Sequence, residues 1–93
     1  MIIAAVSWRL HLPGAHSLKE KRSVLSRIKA RMHNEFNVSV AETAHQEAWQ
    51  MAELTACVVA GDRRHADSVV ESLDRFVGSS AGCRVIDTVR TFF

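Results

Sequence analysis

The feature that most constrains the fold is a hydrophobic period that switches from two to 3.6 residues and back, twice along the chain. Residues 2–12, IIAAVSWRLHL, alternate from Val6 onward: Val6, Trp8, Leu10 and Leu12 point one way, Ser7, Arg9 and His11 the other. That is the period of a half-buried strand. Pro13-Gly14 then supplies a turn, with proline fixing φ and glycine free to take a positive one. From Leu18 to about His33 the period is helical, and Leu18, Val24, Leu25, Ile28 and Met32 share one arc of the wheel. Ser17-Leu18-Lys19-Glu20 has the form of a capping box: Ser17 accepts from the Glu20 amide, and the Glu20 carboxylate reaches back to the Ser17 amide. Asn34 or a near neighbour can stop this helix.

The pattern then repeats. Phe36, Val38 and Val40 alternate with Asn37, Ser39 and Ala41, which predicts a second strand. A polar connection, ETAHQE, leads to WQMAELTACVVA, where Ala52, Leu54, Ala56 and Val58 form one face of a third. Asp62 is a candidate N-cap for a helix marked by Ala66, Val69, Val70, Leu73, Phe76 and Val77, with Gly78 just past its end. CRVIDTVRTFF reads as a last strand, with its inward face left ambiguous by Ile86 and Asp87. The order β-α-β-β-α-β, with right-handed crossovers, predicts a single α+β domain over residues 1–93. Its expected form is a ferredoxin-like sandwich, an antiparallel sheet ordered 4-1-3-2 with both helices on one face. The other face would carry Ser7, Arg9, His11, Asn37, Ser39, Ala41, Met51, Glu53, Thr55, Cys57 and Val59. Met51, Cys57 and Val59 make it too apolar for a wholly wet surface, so a second copy of the chain is expected to cover it.

A chain of 93 residues with 47% apolar side chains can bury a core without staples. No run approaches the roughly 20 apolar residues of a membrane span, and MIIAAVSWRLHL lacks the basic flank of a signal peptide. The reading is a cytoplasmic protein with its N-terminus intact and no membrane role. Cys57 and Cys83 are too few for a disulfide framework and are expected as reduced, buried thiols; in the 4-1-3-2 order strand 1 lies between them. The charge is uneven: seven basic residues and one acid through Arg31, against five basic and nine acidic in the remainder. The molecule therefore has a basic pole.

Three stretches, HSLKEKRSVLSRIKARMHNEFNVSVAE (16–42), HQEAWQMAELTACVVAGD (45–62) and the spacing to the last strand, together resemble the YlxP-like family, domain of unknown function number 503. Glu47 stands where that family often has aspartate, and Ala60-Gly61-Asp62 replaces a more usual Ser/Asn-rich turn. The resemblance implies a small bacterial ferredoxin-like protein whose genes often sit beside translation and ribosome-maturation genes. It implies no established activity.

The basic side chains gather on the first helix. Arg22, Lys29 and Lys19 form a stripe beside the buried arc, and Arg27 and Arg31 lie on the far side. Acids are nearly absent, whereas ordinary solvated helices mix signs. The helix is therefore a candidate nucleic-acid contact made of Lys19, Lys21, Arg22, Arg27, Lys29 and Arg31. Lys21 falls inside the apolar arc; it either snorkels past the sheet edge or grips a ligand. The helix start, PGAHSLKEKR, has the make-up of an anion site, but the capping box consumes its amides.

Glu42, His45, Glu47 and Trp49 in the second connection are a candidate ligand cluster or rim. The five histidines match no ligand spacing, so no metal and no cofactor are expected. No phosphate loop or nucleophile elbow occurs, and catalytic residues are not assigned. An RNA-recognition module has the same element order but stacks bases on aromatics of its open sheet face. Here Ser7, Arg9, Glu53 and Thr55 hold those positions, and Trp8 faces the helices. The expectation is a non-enzymatic accessory protein that meets RNA or a ribosomal particle through its first helix. The alternative is a homodimeric domain binding a small ligand or protein, with the charges serving solubility.

Overall fold

β1 (Ile2–His11) buries Ala4, Val6, Trp8 and Leu10, and it takes an interior place in the sheet. The computed structural model describes residues 1–93. After β1 follow α1 (Leu18–Phe36), β2 (Ser39–Ala44), β3 (Met51–Ala60), α2 (Arg63–Gly78) and β4 (Arg84–Phe92), the order the periodicity predicts. The strands form one antiparallel sheet ordered β2-β3-β1-β4, which is 4-1-3-2 read from the other edge. β1 and β3 pair along their full length, from Ile2 opposite Ala60 to His11 opposite Met51.

Both helices lie over the face that carries Val6, Trp8, Leu10, Ala52, Leu54, Ala56 and Val58. Leu25, Ile28 and Met32 of α1 and Val70, Leu73 and Val77 of α2 complete the core. The Trp8 indole is buried, so its N–H needs an acceptor. It donates to Asp74 Oδ1 at 2.8 Å, and the other Asp74 oxygen receives Arg90. A carboxylate on α2 thus joins β1 to β4.

The helix starts form much as expected. Ser17 Oγ accepts from the Glu20 amide at 3.1 Å, and Asp62 accepts from the His65 amide at 2.8 Å. The Glu20 carboxylate reaches one residue further back than a capping box requires, to the amide of His16 at 2.8 Å.

Several boundaries differ from the sequence reading. α1 does not stop near Asn34 but runs to Phe36, and Asn37 caps it in the left-handed region at φ 50°. Phe36 is therefore helical, and its ring meets Phe76 of α2 with centroids 5.6 Å apart. Packing against α2 outweighs the weak alternation that assigned Phe36 to a strand, and Asn37 leaves the open sheet face. β2 takes in Glu42, Thr43 and Ala44 from the expected connection, with an irregularity against β3 between Glu42 and Ala44. Gly78 is the last helical residue of α2, and the Ser79 amide closes the turn. In β4 the register shifts where β1 passes from Arg9 to Leu10: Asp87 lies opposite Arg9 and Val85 opposite Leu10. The intervening Ile86 is the extra residue of a bulge, which is why β4 alone showed no consistent face. The thiols also differ from expectation, since Cys57 is exposed and Cys83 half-buried; both are free. Burial pushes the Cys83 thiol above its ordinary pKa by disfavouring the thiolate.

Candidate nucleic-acid interface

α1 presents Lys19, Arg22, Arg27 and Arg31 to solvent, with Lys29 half-buried beside them. Only Arg31 has an acidic partner, its Nε and Nη2 donating to Glu35 Oε1 at 3.3 and 3.1 Å. Lys19, Arg22, Arg27 and Lys29 pair with no carboxylate; outside α1, Arg9, Arg63 and Arg90 each meet an aspartate, and Arg64, Arg75 and Arg84 stay unpaired but are spread over α2 and β4. Four uncompensated cations on one helix make a local positive potential that acid pairing does not cancel.

The two sides of this helix differ. Arg27 and Arg31 border a notch of about 280 Å³ between α1 and the end of α2, with Ile28, Phe76 and Ser79 among its walls. The Arg31 guanidinium lies over the Phe76 ring, 4.9 Å from its centroid. Ser79 and Ser80 hydroxyls donate to the Phe76 carbonyl at 3.2 and 2.8 Å, which covers the negative end of α2. This notch was not legible in the sequence, because Phe76 and the serines join Arg27 only once the helices pack.

Lys21 is not part of the interface. Its side chain is 1% exposed, and Nζ donates to the carbonyls of His45 at 2.6 Å and Ala48 at 2.8 Å. Glu42 Oε2 lies 2.8 Å from the same nitrogen but without the alignment of a hydrogen bond, so that contact is an ion pair. Two carbonyls take two of the three ammonium donors, and the Glu42 carboxylate lies against the same group as its counter-ion. Lys21 does not snorkel to water; buried and neutralised by Glu42, it ties α1 to the β2–β3 connection.

This arrangement also disperses the candidate cluster in that connection. Glu42 turns toward the helix layer and belongs to Lys21. His45 takes a positive φ of 63° at the start of a turn closed by the Ala48 amide on the His45 carbonyl at 3.0 Å. Glu47 and Trp49 are exposed, and no cavity gathers the four residues. No three metal-ligating side chains come together elsewhere in the fold.

The open sheet face carries a hydroxyl chain. Thr55 Oγ1 is 2.8 Å from both Ser7 Oγ and Thr43 Oγ1, and Thr43 donates to Glu53 Oε1 at 2.6 Å. Arg9 and Asp87 lie beside it at 3.8 Å. No aromatic ring interrupts this middle zone, so it offers bases nothing to stack on. Cys57 borders a shallow groove with Ser39, Ala41, Thr43 and Thr55, and no histidine or carboxylate lines it.

Fold and surface together define a two-layer α+β domain with an unpaired basic outer helix and an open sheet face. The family model described as "Protein of unknown function (DUF503)" matches residues 3–90, and the chain belongs to that family. It is 38% identical over 65 residues to the uncharacterized protein YlxP of Bacillus subtilis (strain 168), covering 70% of this chain and 71% of that one. Among solved structures it is similar to the de novo designed protein Foldit4, with a TM-score of 0.58 at 16% identity over 96% of each chain. It is also similar to the de novo designed protein LFR1 1 with ferredoxin fold, with a TM-score of 0.55 at 16% identity over 100% of this chain and 84% of that one. At such identities the likeness concerns the fold alone.

Proposed function

We propose that this protein is a cytoplasmic, non-enzymatic accessory factor that contacts RNA or a ribosomal particle through the outer surface of α1, working as a homodimer. The observation that carries the reading is the set of four α1 cations, Lys19, Arg22, Arg27 and Lys29, that no carboxylate compensates. A helix needs no such set for stability, since like charges on one surface repel. Phosphates supply the missing partners, and the release of their counterions favours binding. Neither helix is long and apolar enough to cross a membrane.

Filter binding of single-stranded RNA at two salt concentrations tests this. If about four phosphates are neutralised, affinity falls roughly 50-fold between 50 and 200 mM salt. Reversing charge at Lys19, Arg22 and Lys29 weakens binding and flattens that dependence. An absence of binding at 50 mM salt rejects the RNA reading. It then favours the alternative, a homodimeric domain for a small ligand or protein.

A further inference from the structure

The loop after α2 turns back over α1 and closes the notch of about 280 Å³, whose walls come from both elements. A Cβ added at Gly82 of this loop would meet Val24 Cγ1 at 3.3 Å, so the loop is seated closely on the helix. Three kinds of group meet in the notch. Arg27 brings a guanidinium with no carboxylate partner, and Arg31 brings one that Glu35 shares. Ile28 and Phe76 supply apolar wall. Ser79 and Ser80 bring hydroxyls whose single protons are given to the Phe76 carbonyl, so their oxygens are left as acceptors. No carboxylate lines the notch.

A ligand complementary to these groups carries a negative charge, an apolar face and an N–H donor on its edge. An acidic peptide side chain supplies the charge but neither the face nor the donor. We infer that the notch receives one unpaired nucleotide of single-stranded RNA, its phosphodiester at Arg27 and the donor edge of its base at the serine oxygens. This rests on the RNA reading above and names the kind of RNA and where it is gripped. Each of the four bases has an N–H donor on its Watson–Crick edge, and splayed bases rest on aromatic rings and arginine planes. In a duplex, pairing consumes that donor, so a duplex cannot use the notch. Arg31 is already held in one place, by Phe76 at 4.9 Å and by Glu35, which lowers the ordering cost of binding. Glu35 also offsets the Arg31 charge, so Arg27 is the uncompensated cation at the notch. One such cation matches the single charge of a phosphodiester, whereas the monoester of a free nucleotide carries about −1.5 to −2 near neutral pH.

Amide chemical shifts of isotope-labelled protein, followed during titration with a short oligouridylate at low salt, test this. The oligouridylate should move the amides of Arg27, Ile28 and Arg31 together with those of Ser79, Ser80 and Ala81. Duplex RNA of the same charge should move α1 amides alone. Ala81 is exposed at the notch, so A81W fills the space without changing the charge or opening the core. It should lose roughly 5- to 150-fold in single-strand affinity and keep its duplex affinity. R27Q should cost more single-strand affinity than R22Q, although each removes one unpaired cation from α1. Both sit at exposed positions, which covers the case in which A81W fails to fold. Oligouridylate binding that leaves the 79–81 amides unmoved, or that A81W does not weaken, overturns the notch and leaves the proposed function standing. Equal losses in R27Q and R22Q do the same. No RNA binding at low salt overturns both. Uridine monophosphate that fills the notch as tightly as the oligouridylate identifies a small-molecule site and also rejects the RNA assignment.

Discussion

Lys21 is the residue whose place in the sequence pattern and whose chemistry disagree most. The helical wheel shows a cation within the apolar arc of α1, which marks it as unusual. It cannot show the solution, because the acceptors are backbone carbonyls of a loop 24 and 27 positions further on. Backbone carbonyls leave no trace in residue type. The Trp8–Asp74 bond was half legible by comparison, since an inward tryptophan requires an acceptor even when its identity is unknown. The ion pair gives a clear expectation for stability. K21M leaves the Ala48 carbonyl without its donor, the His45 carbonyl with the Ala48 amide alone, and a partly buried carboxylate without its cation, and should cost about 3 kcal/mol. K21M combined with E42L removes both charges and should recover most of that loss, a coupling that a double-mutant cycle isolates. Urea denaturation measures both effects. K21M as stable as wild type would show that the buried ammonium contributes nothing beyond its packing volume.

The elements were legible where one period ran uninterrupted and were misjudged where two readings competed. α1, β1, β3 and α2 each bury one face against the same core, so their patterns are strong and their identities followed directly. The end of α1 was harder, because NEFNVSV suits a helix end or a strand start equally well until Phe36 is seen to pack on Phe76. β4 fails for another reason: its bulge at Ile86 changes face halfway, and only α2 covers it, so most of its residues are exposed. Asn37 decides where α1 stops. Its left-handed conformation suits asparagine and glycine and opposes β-branched residues. N37G should change stability by a few tenths of a kcal/mol in either direction. N37V should cost about 1–2 kcal/mol, lowering the melting temperature by roughly 5–15 °C for a domain of this size. A scan by circular dichroism distinguishes them. An unaltered melting temperature in N37V would mean that α1 frays past this cap in solution.

At the scale of the whole molecule the domain is a slab, 42 × 21 × 17 Å, with helices on one side and nothing on the other. Its accessible surface of 5470 Å² is close to that of an ordinary monomer of its mass, so the amount of surface carries no signal. Its distribution does. The sequence placed Met51, Cys57 and Val59 in one apolar strip, but β3 sets Met51 and Val59 at opposite ends. Val59 lies opposite Ile3, Ile3 exchanges two backbone hydrogen bonds with Phe93, and Cys57 lies opposite Ala5. The largest apolar part of the open face is this far end, where Val59 is 68% and Phe93 72% exposed, while Val89, opposite Ser7, is a single exposed apolar side chain in the middle. The middle is the hydroxyl chain, and Met51 is isolated beside His11. A twofold pairing centred on Val59, Ile3 and Phe93 would withdraw apolar area worth roughly 25 cal/mol per Å². It would also leave both α1 surfaces outward, since they sit in the helix layer. The expected result by light scattering at tens of micromolar is about twice the 10.4 kDa chain mass. V59D should return the protein to monomer by burying a carboxylate in the seam, and M51D should leave the dimer largely intact. A dimer that survives V59D would move the interface toward β4, where Val89 on the open face and Ile86 at the bulge are the exposed apolar side chains at hand.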